Sequence, residues 1–230
     1  MEVIILAGGK GRRLKSIVKK VPKPMADING KPFLLYILDY LLKYDISSVI
    51  LSVGYKKEVI KRYFKKSYKG ISLVYSNEDK PLGTGGGIKE ALKYCKNDYA
   101  LVINGDTFCN IDLEKFMKKF DLKEEKISIA LTEMKNVDRY GSVEIQDNKI
   151  ISFKEKKYYE KTYINTGIYL IKKDIFNNFD LANSFSFENF LETNIKKLNN
   201  SYFLEKDIYF IDIGIPCDYE KAKNDFKELF

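Results

Sequence analysis

The sequence predicts an α/β fold, a mixed but mainly parallel sheet flanked by helices, and three observations lead there. Short, predominantly apolar runs, of the kind that buried strands require, recur through residues 1–125. Segments with apolar residues at helical spacing alternate with them. In residues 126–230, strand candidates follow one another with few helices between, which adds a smaller mixed-sheet lobe to the same single domain, 1–230.

Each element has a local reason. Val3–Ala7 is a wholly apolar run and opens the sheet. Pro32–Leu42 carries Phe33, Ile37, Leu38, Leu41 and Leu42 on one helical face. Val49–Val53 is a second buried strand, and Lys57–Phe64 an amphipathic helix with Val59, Ile60, Tyr63 and Phe64 together. Ile71–Tyr75 is a third strand, Ile88–Tyr94 a helix entered through a glycine-rich turn, and Tyr99–Ile103 a fourth strand. That β-α-β-α-β-α-β order is what a parallel sheet with crossover helices needs. Downstream, 127–132, 142–145, 150–153, 164–170 and 208–213 read as strands, with Asp147-Asn148 as a hairpin turn. Phe185–Leu198 and Pro216–Phe230 read as helices, the second with Asp218 in its first turn.

Composition excludes several classes of chemistry. The chain of 230 residues contains no His, so imidazole bases, Ser-His-Asp triads and His-ligated zinc are ruled out. Cys95, Cys109 and Cys217 are spread out with no CxxC pair, which argues against a disulfide framework or a zinc site and for a reducing cytoplasm. No apolar run is long enough to span a membrane, and Met1–Leu6 lacks the basic region of a signal peptide. The net charge is +8, yet only Arg12, Arg13, Arg62 and Arg139 are Arg, and the other 36 basic residues are Lys. Without an Arg stripe or interleaved aromatic and basic strands, this reads as solvated lysine faces rather than a nucleic-acid footprint.

In open α/β sheets, ligands sit beyond the carboxyl ends of the strands, so four such ends carry the functional reading. Gly8-Gly9-Lys10-Gly11-Arg12-Arg13 follows the first strand; its glycines let backbone N–H groups approach a polyphosphate, and an arginine fork grips one. In Pro22-Lys23-Pro24 two prolines bracket a single ammonium and hold the chain extended around it. Gly83-Thr84-Gly85-Gly86-Gly87 lets a flat ring or a ribose lie on bare backbone. Asn104-Gly105-Asp106 sets a carboxylate at the end of an apolar strand, and Asp212 stands likewise before Gly214. Two such Asp could share a Mg²⁺ whose remaining oxygen ligands are substrate phosphates, although each alone also fits a turn or a cap.

Taken in order, Gly8–Leu14, Pro22–Met25, Gly83–Gly86 and Asn104–Asp106 resemble the motifs of the sugar-1-phosphate nucleotidylyltransferases. Arg139-Tyr140-Gly141, Phe153–Lys156, Asn165–Tyr169 and Phe210–Gly214 extend the resemblance over nearly the whole chain, with Arg12 where the family has Thr. Within the family the chain is most similar to the short D-glycero-α-D-manno-heptose 1-phosphate guanylyltransferases. The resemblance implies a Rossmann-like nucleotidyltransferase fold related to the GT-A type, with a nucleotide-binding half (1–125) and a sugar-phosphate-binding half (126–230). The implied reaction joins an NTP, here GTP, to a sugar 1-phosphate and releases pyrophosphate, needing no general base.

By family position, Leu6 and Ala7 belong to the nucleotide-binding set, Gly8, Gly9 and Gly11 cradle the triphosphate, Arg13 grips the leaving phosphates and Lys23 bridges the two substrates. Gly83, Thr84 and Glu78 contact the base, while Asp106 and Asp212 hold Mg²⁺. Gly141, Glu155, Lys156, Asn165 and Thr166 hold the sugar phosphate. Arg13, Lys23 and Asp106 are thus the expected catalytic groups. The expected partners are the NTP and the sugar 1-phosphate, with neither nucleic acid nor membrane, and a homodimer is among the assemblies left open. The finer resemblance points to capsule or lipopolysaccharide precursor synthesis. Two other readings share these residues: cytidylyl or uridylyl transfer to another phosphorylated acceptor, and a non-catalytic nucleotide- or RNA-binding regulator.

Overall fold

The computed structural model describes residues 1–9, 11–14 and 17–230, with Arg12 described by its backbone alone, so Lys10 and the Arg12 side chain of the glycine-rich loop lie outside the described residues. Along the first half run β1 (Glu2–Leu6), the short pair β2 (Asp27–Ile28) and β3 (Lys31–Pro32), α1 (Phe33–Leu41), β4 (Ser48–Val53), α2 (Lys57–Phe64), β5 (Ser67–Tyr68), β6 (Ile71–Asn77), α3 (Gly83–Ala91), β7 (Tyr99–Asn104), β8 (Thr107–Cys109) and α4 (Leu113–Lys119). The second half supplies β9 (Ile127–Val137), β10 (Ser142–Gln146), β11 (Lys149–Lys154), β12 (Tyr159–Lys172), α5 (Phe187–Asn194), β13 (Asn200–Leu204), β14 (Phe210–Asp212) and α6 (Pro216–Leu229).

One ten-stranded sheet runs through both halves in the order β11-β10-β12-β7-β1-β4-β6-β5, with β9 on β12 and β13 on β9. Strands β7, β1, β4 and β6 are mutually parallel, and their largely apolar sequences fit burial in such a sheet. β12 joins them antiparallel, pairing Ile168–Lys172 with Ile103–Tyr99. The alternation of side chains splits the core between the two faces. Val3, Ile5, Val49 and Leu51 pack with Phe33, Leu34 and Ile37 of α1. Ile4, Ile50 and Val102 pack with Ile88 and Ala91 of α3 and with Phe187 and Leu191 of α5. The closing helix α6 folds back on the first face, where the Phe226 and Phe33 rings stack at 5.9 Å.

Where the elements depart from expectation, a specific contact explains it. The glycines expected to form a turn into a helix at 88 are themselves the first turns of α3. The second of the two C-terminal helices begins at Pro216 as expected, but the first begins at Phe187 rather than 185. The Phe185 N–H donates to Leu82 O at 2.9 Å and its carbonyl accepts from Gly85 N at 3.0 Å, which ties Phe185 to α3 instead. The expected strand over 208–213 contracts to β14, which leaves the main sheet and pairs antiparallel with β8. The Asp147-Asn148 hairpin forms with both residues at positive φ, 49° and 61°, the signature of a tight type I′ turn. No helix among the described residues is long and apolar enough to cross a membrane.

Candidate active site

A cavity of about 760 Å³ opens at the carboxyl ends of the parallel strands. It gathers most of the residues expected to bind nucleotide: Leu6, Gly8, Gly9, Gly11, Arg13, Glu78, Gly83, Thr84 and Asp106, together with Lys23. Ala7 is fully buried behind this wall, its N–H donating to Ser52 O at 2.8 Å, so it shapes the loop rather than facing the cavity.

Lys23 lies at the centre of the charge arrangement. The Pro22-Lys23-Pro24 segment folds into a 3₁₀ turn, and the side chain is only 8% exposed. Its ammonium donates to Asp106 Oδ2 at 2.7 Å and to Asp212 Oδ1 at 3.1 Å. Asp106 follows β7 and Asp212 ends β14; the β14–β8 ladder and the Ile213 N–H to Asp106 O bond of 3.0 Å bring them together. Two glycines make room for the lysine. A Cβ on Gly11, at φ +55°, would meet Lys23 Cβ at 3.0 Å, and one on Gly214 would meet Lys23 Nζ at 3.2 Å and Asp212 Oδ1 at 2.9 Å.

A third carboxylate, Glu78, closes the β6 end. It is wedged among glycines: a Cβ on Gly8 would stand 2.7 Å from its Oε1, and one on Gly87 3.1 Å from the same atom. Oε1 accepts from Ser52 Oγ at 3.1 Å and Oε2 from Leu82 N at 3.1 Å. Its orientation is therefore set before any ligand arrives.

The glycine run of α3 is used differently from expectation. A Cβ on Gly85 would overlap the Phe185 ring, and one on Gly86 would stand 2.6 Å from Asn183 O. These two glycines admit the 183–187 segment rather than a ligand. Gly83, at φ +71°, and Thr84 do face the cavity. The Thr84 hydroxyl is committed, donating to Glu188 Oε2 at 2.7 Å and accepting from Phe187 N at 2.8 Å.

The residues expected to hold the sugar phosphate are not cavity walls in this arrangement. Glu155 and Lys156 are exposed in the turn after β11. Gly141 precedes β10, where a Cβ would meet Lys154 O at 2.9 Å. Asn165, Thr166 and Gly167 form a bulge where the β12–β9 register shifts. Within it Thr166 is 1% exposed and donates to Ala130 O at 2.9 Å, while Asn165 accepts from Gly167 N and donates to the Tyr169 hydroxyl, both at 2.9 Å. The bulge sets Gly167, at φ +76°, directly under the Asn104 amide. Nearby, Tyr140 packs edge-on to Phe210 at 5.4 Å; burial and the charge of Asp212 push its hydroxyl pKa well up.

Sequence reasoning missed several walls: Ser52 in β4, Gly54 and Tyr55 after it, Asn104 at the end of β7, and Glu188 on α5. Val53-Gly54 is another apolar strand ending in glycine, the signal that marked Gly8 and Gly105. Glu188 follows the N-capping Ser186 of α5 and carries no local sign beyond that of a first-turn acid.

The nucleotidyl transferase family profile matches residues 2–228. The D-glycero-α-D-manno-heptose 1-phosphate guanylyltransferase of Campylobacter jejuni is 55% identical over 95% of this chain and 97% of its own. Its counterpart from Aneurinibacillus thermoaerophilus is 47% identical over 99% of each. The crystal structure of HddC from Yersinia pseudotuberculosis complexed with GMP-PN superposes with a TM-score of 0.84 at 39% identity, covering 98% of this chain and 99% of that one.

Proposed function

The chain belongs to the nucleotidyl transferase family, and from that premise we propose that it transfers GMP from GTP to D-glycero-α-D-manno-heptose 1-phosphate. The products are the GDP-heptose and pyrophosphate. One observation carries the reaction type: a single cavity is lined by the Gly-Arg loop, by Lys23 and Asp106, and by an oriented further carboxylate, Glu78, while Asp212 holds the same ammonium from beside the wall. The substrate pair rests on the relatives, whose names specify it at 55% and 47% identity over nearly full length.

The chemistry follows from the charges. A phosphate oxygen of the sugar phosphate attacks the α-phosphorus of GTP, and the bond to the pyrophosphate oxygen breaks in line. The attacking oxygen is already ionised at neutral pH, so the absence of His costs nothing. Catalysis is positioning and neutralisation of charge. The backbone of Gly8, Gly9 and Gly11 cradles the triphosphate, exposed Arg13 meets the departing phosphates, and Lys23 lies between the two phosphate groups that react.

Glu78 supports the choice of guanine. Guanine presents adjacent donors at N1–H and the exocyclic amine, and an ionised carboxylate is an acceptor only. Cytosine and adenine offer an acceptor where guanine offers N1–H, which would face Glu78 unfavourably.

A divalent cation fits Asp106 and Asp212. Their shared hold on the Lys23 ammonium shows that the pair stabilises positive charge at that point. Among the described residues no group of three or more acidic, His or Cys side chains gathers there. Two carboxylates plus substrate phosphates is the usual ligand set of Mg²⁺. When bound, the ion withdraws charge from the phosphate oxygens.

Pyrophosphate release measured with GTP, CTP, UTP and ATP against heptose 1-phosphate and other sugar 1-phosphates tests the proposal. Turnover that prefers GTP and heptose 1-phosphate is expected. Preference for CTP or UTP would move the chain to the alternative reading, and no turnover with any pair would remove the enzymatic one.

A further inference from the structure

The cavity has two ends, and the strand order fixes which is which. Glu78 follows β6 at one end; Asn104 ends β7 and Asp106 follows it, beside β12, at the other, with the β1 loop between. The first turn of α5 sets Glu188 between Thr84 at the start of α3 and Tyr169 of β12, on the side of the cavity toward β12. The Phe187 ring stands edge-on to Tyr169 of β12 at 5.1 Å. Glu188 and Asp106 are both close enough to that buried tyrosine for their charges to add to burial in raising its pKa. With guanine at the Glu78 end and the phosphates at the β1 loop, the acceptor sugar falls at the Glu188 end.

Glu188 is built to receive something there. Oε2 accepts from Thr84 Oγ1 at 2.7 Å and from Ser186 Oγ at 2.8 Å, which fixes the carboxylate plane. Among the described residues, Oε1 has no hydrogen bond and no ammonium or guanidinium pairs with the group. An uncompensated carboxylate repels a phosphate and accepts from neutral hydroxyls. Its location and its chemistry therefore agree on the polyol portion of the acceptor, not on its phosphate.

We propose that Glu188 binds hydroxyl groups of the acceptor sugar through Oε1 and is a specificity-determining residue for that substrate; the assignment rests on the transferase reading above. Thr84 and Ser186 then act as positioning residues, holding the carboxylate that reads the sugar.

Glu188→Gln tests this in the full chain, because the amide carbonyl still accepts from Thr84 and Ser186 while the charged acceptor is lost. The KM for heptose 1-phosphate is expected to rise about tenfold to a hundredfold, as for loss of a hydrogen bond to a charged group, with the KM for GTP within about twofold. Calorimetry of GDP-heptose and GDP gives a second readout: the preference for the sugar-bearing ligand should shrink by about the same factor. If the variant does not fold, as judged by its thermal transition, Glu188→Asp is read by the same two measurements. An unchanged sugar KM, or equal rises in both KM values as expected for damage transmitted through Thr84 and α3, would overturn the assignment alone. Wild-type enzyme inactive with every nucleotide would overturn the functional reading and this assignment with it.

Discussion

Lys23 shows how one side chain can depend on residues far away in sequence. Its ammonium meets Asp106, 83 residues on, and Asp212, 189 residues on. Asp106→Asn keeps an acceptor for Lys23 but removes a charge where phosphates and a divalent cation converge. Its kcat should fall by about two to three orders of magnitude, the usual loss for one charge-stabilising group, with the thermal midpoint little changed; steady-state kinetics and a melting curve check both. Glu78→Gln exchanges an acceptor-only group for one that can also donate. The ratio of kcat/KM for GTP over ATP should fall by about ten- to a hundredfold, read from competition assays. At this scale the strand-end residues were accessible from the sequence, since Gly8, Gly11, Arg13, Lys23, Gly83 and Asp106 each sit in a short distinctive run. Glu188 was not. Its partner Thr84 is 104 residues away, and nothing local to α5 says that the two meet.

Among the elements, α3 is the most instructive. A helix that begins Gly-Thr-Gly-Gly-Gly pays roughly 1 kcal/mol per glycine relative to alanine. Close packing offsets that cost, because α3 lies against Phe185 and Asn183 on one side and Glu78 on the other. Gly85→Ala would gain helix propensity but force a methyl into the Phe185 ring, and overpacking of that kind costs about 1–3 kcal/mol. The collision should win, lowering the melting temperature by a few degrees, whereas Gly9→Ala, with nothing among the described residues within 4 Å of its Cβ, should leave it unchanged. Differential scanning fluorimetry separates the two. The parallel strands β1, β4, β6 and β7 could be read from sequence because their burial leaves largely apolar runs. β13 and β8 could not. β13 pairs parallel with β9 across a long separation, and β8 is three residues long with its partner β14 near the chain's end.

For the whole molecule, two cores on either face of one sheet make the buried thiols a probe of global stability. Burial pushes the thiols of Cys95 and Cys109 up to about 12, while Cys217 is exposed at the start of α6. The thiolate is the reactive form. At pH 8 a maleimide should therefore label Cys217 promptly and the other two only on unfolding, with labelling stoichiometry by mass spectrometry as the check. The sign of the pH effect follows. Below about pH 8.5 both states hold the protons and stability is unaffected. As pH rises further the unfolded thiols ionise first, and stability declines toward pH 12.

The central claim is a transfer of GMP in which the sugar phosphate supplies the bridging oxygen. Phosphorus-31 NMR of the reaction with GTP and heptose 1-phosphate, the latter carrying oxygen-18 in its phosphate, tests it most directly. The account predicts a pair of coupled diphosphate resonances from the GDP-sugar, an equal amount of pyrophosphate, and the isotope retained in the bridge. Release of GMP or inorganic phosphate without those resonances, or an unlabelled bridge, would contradict it.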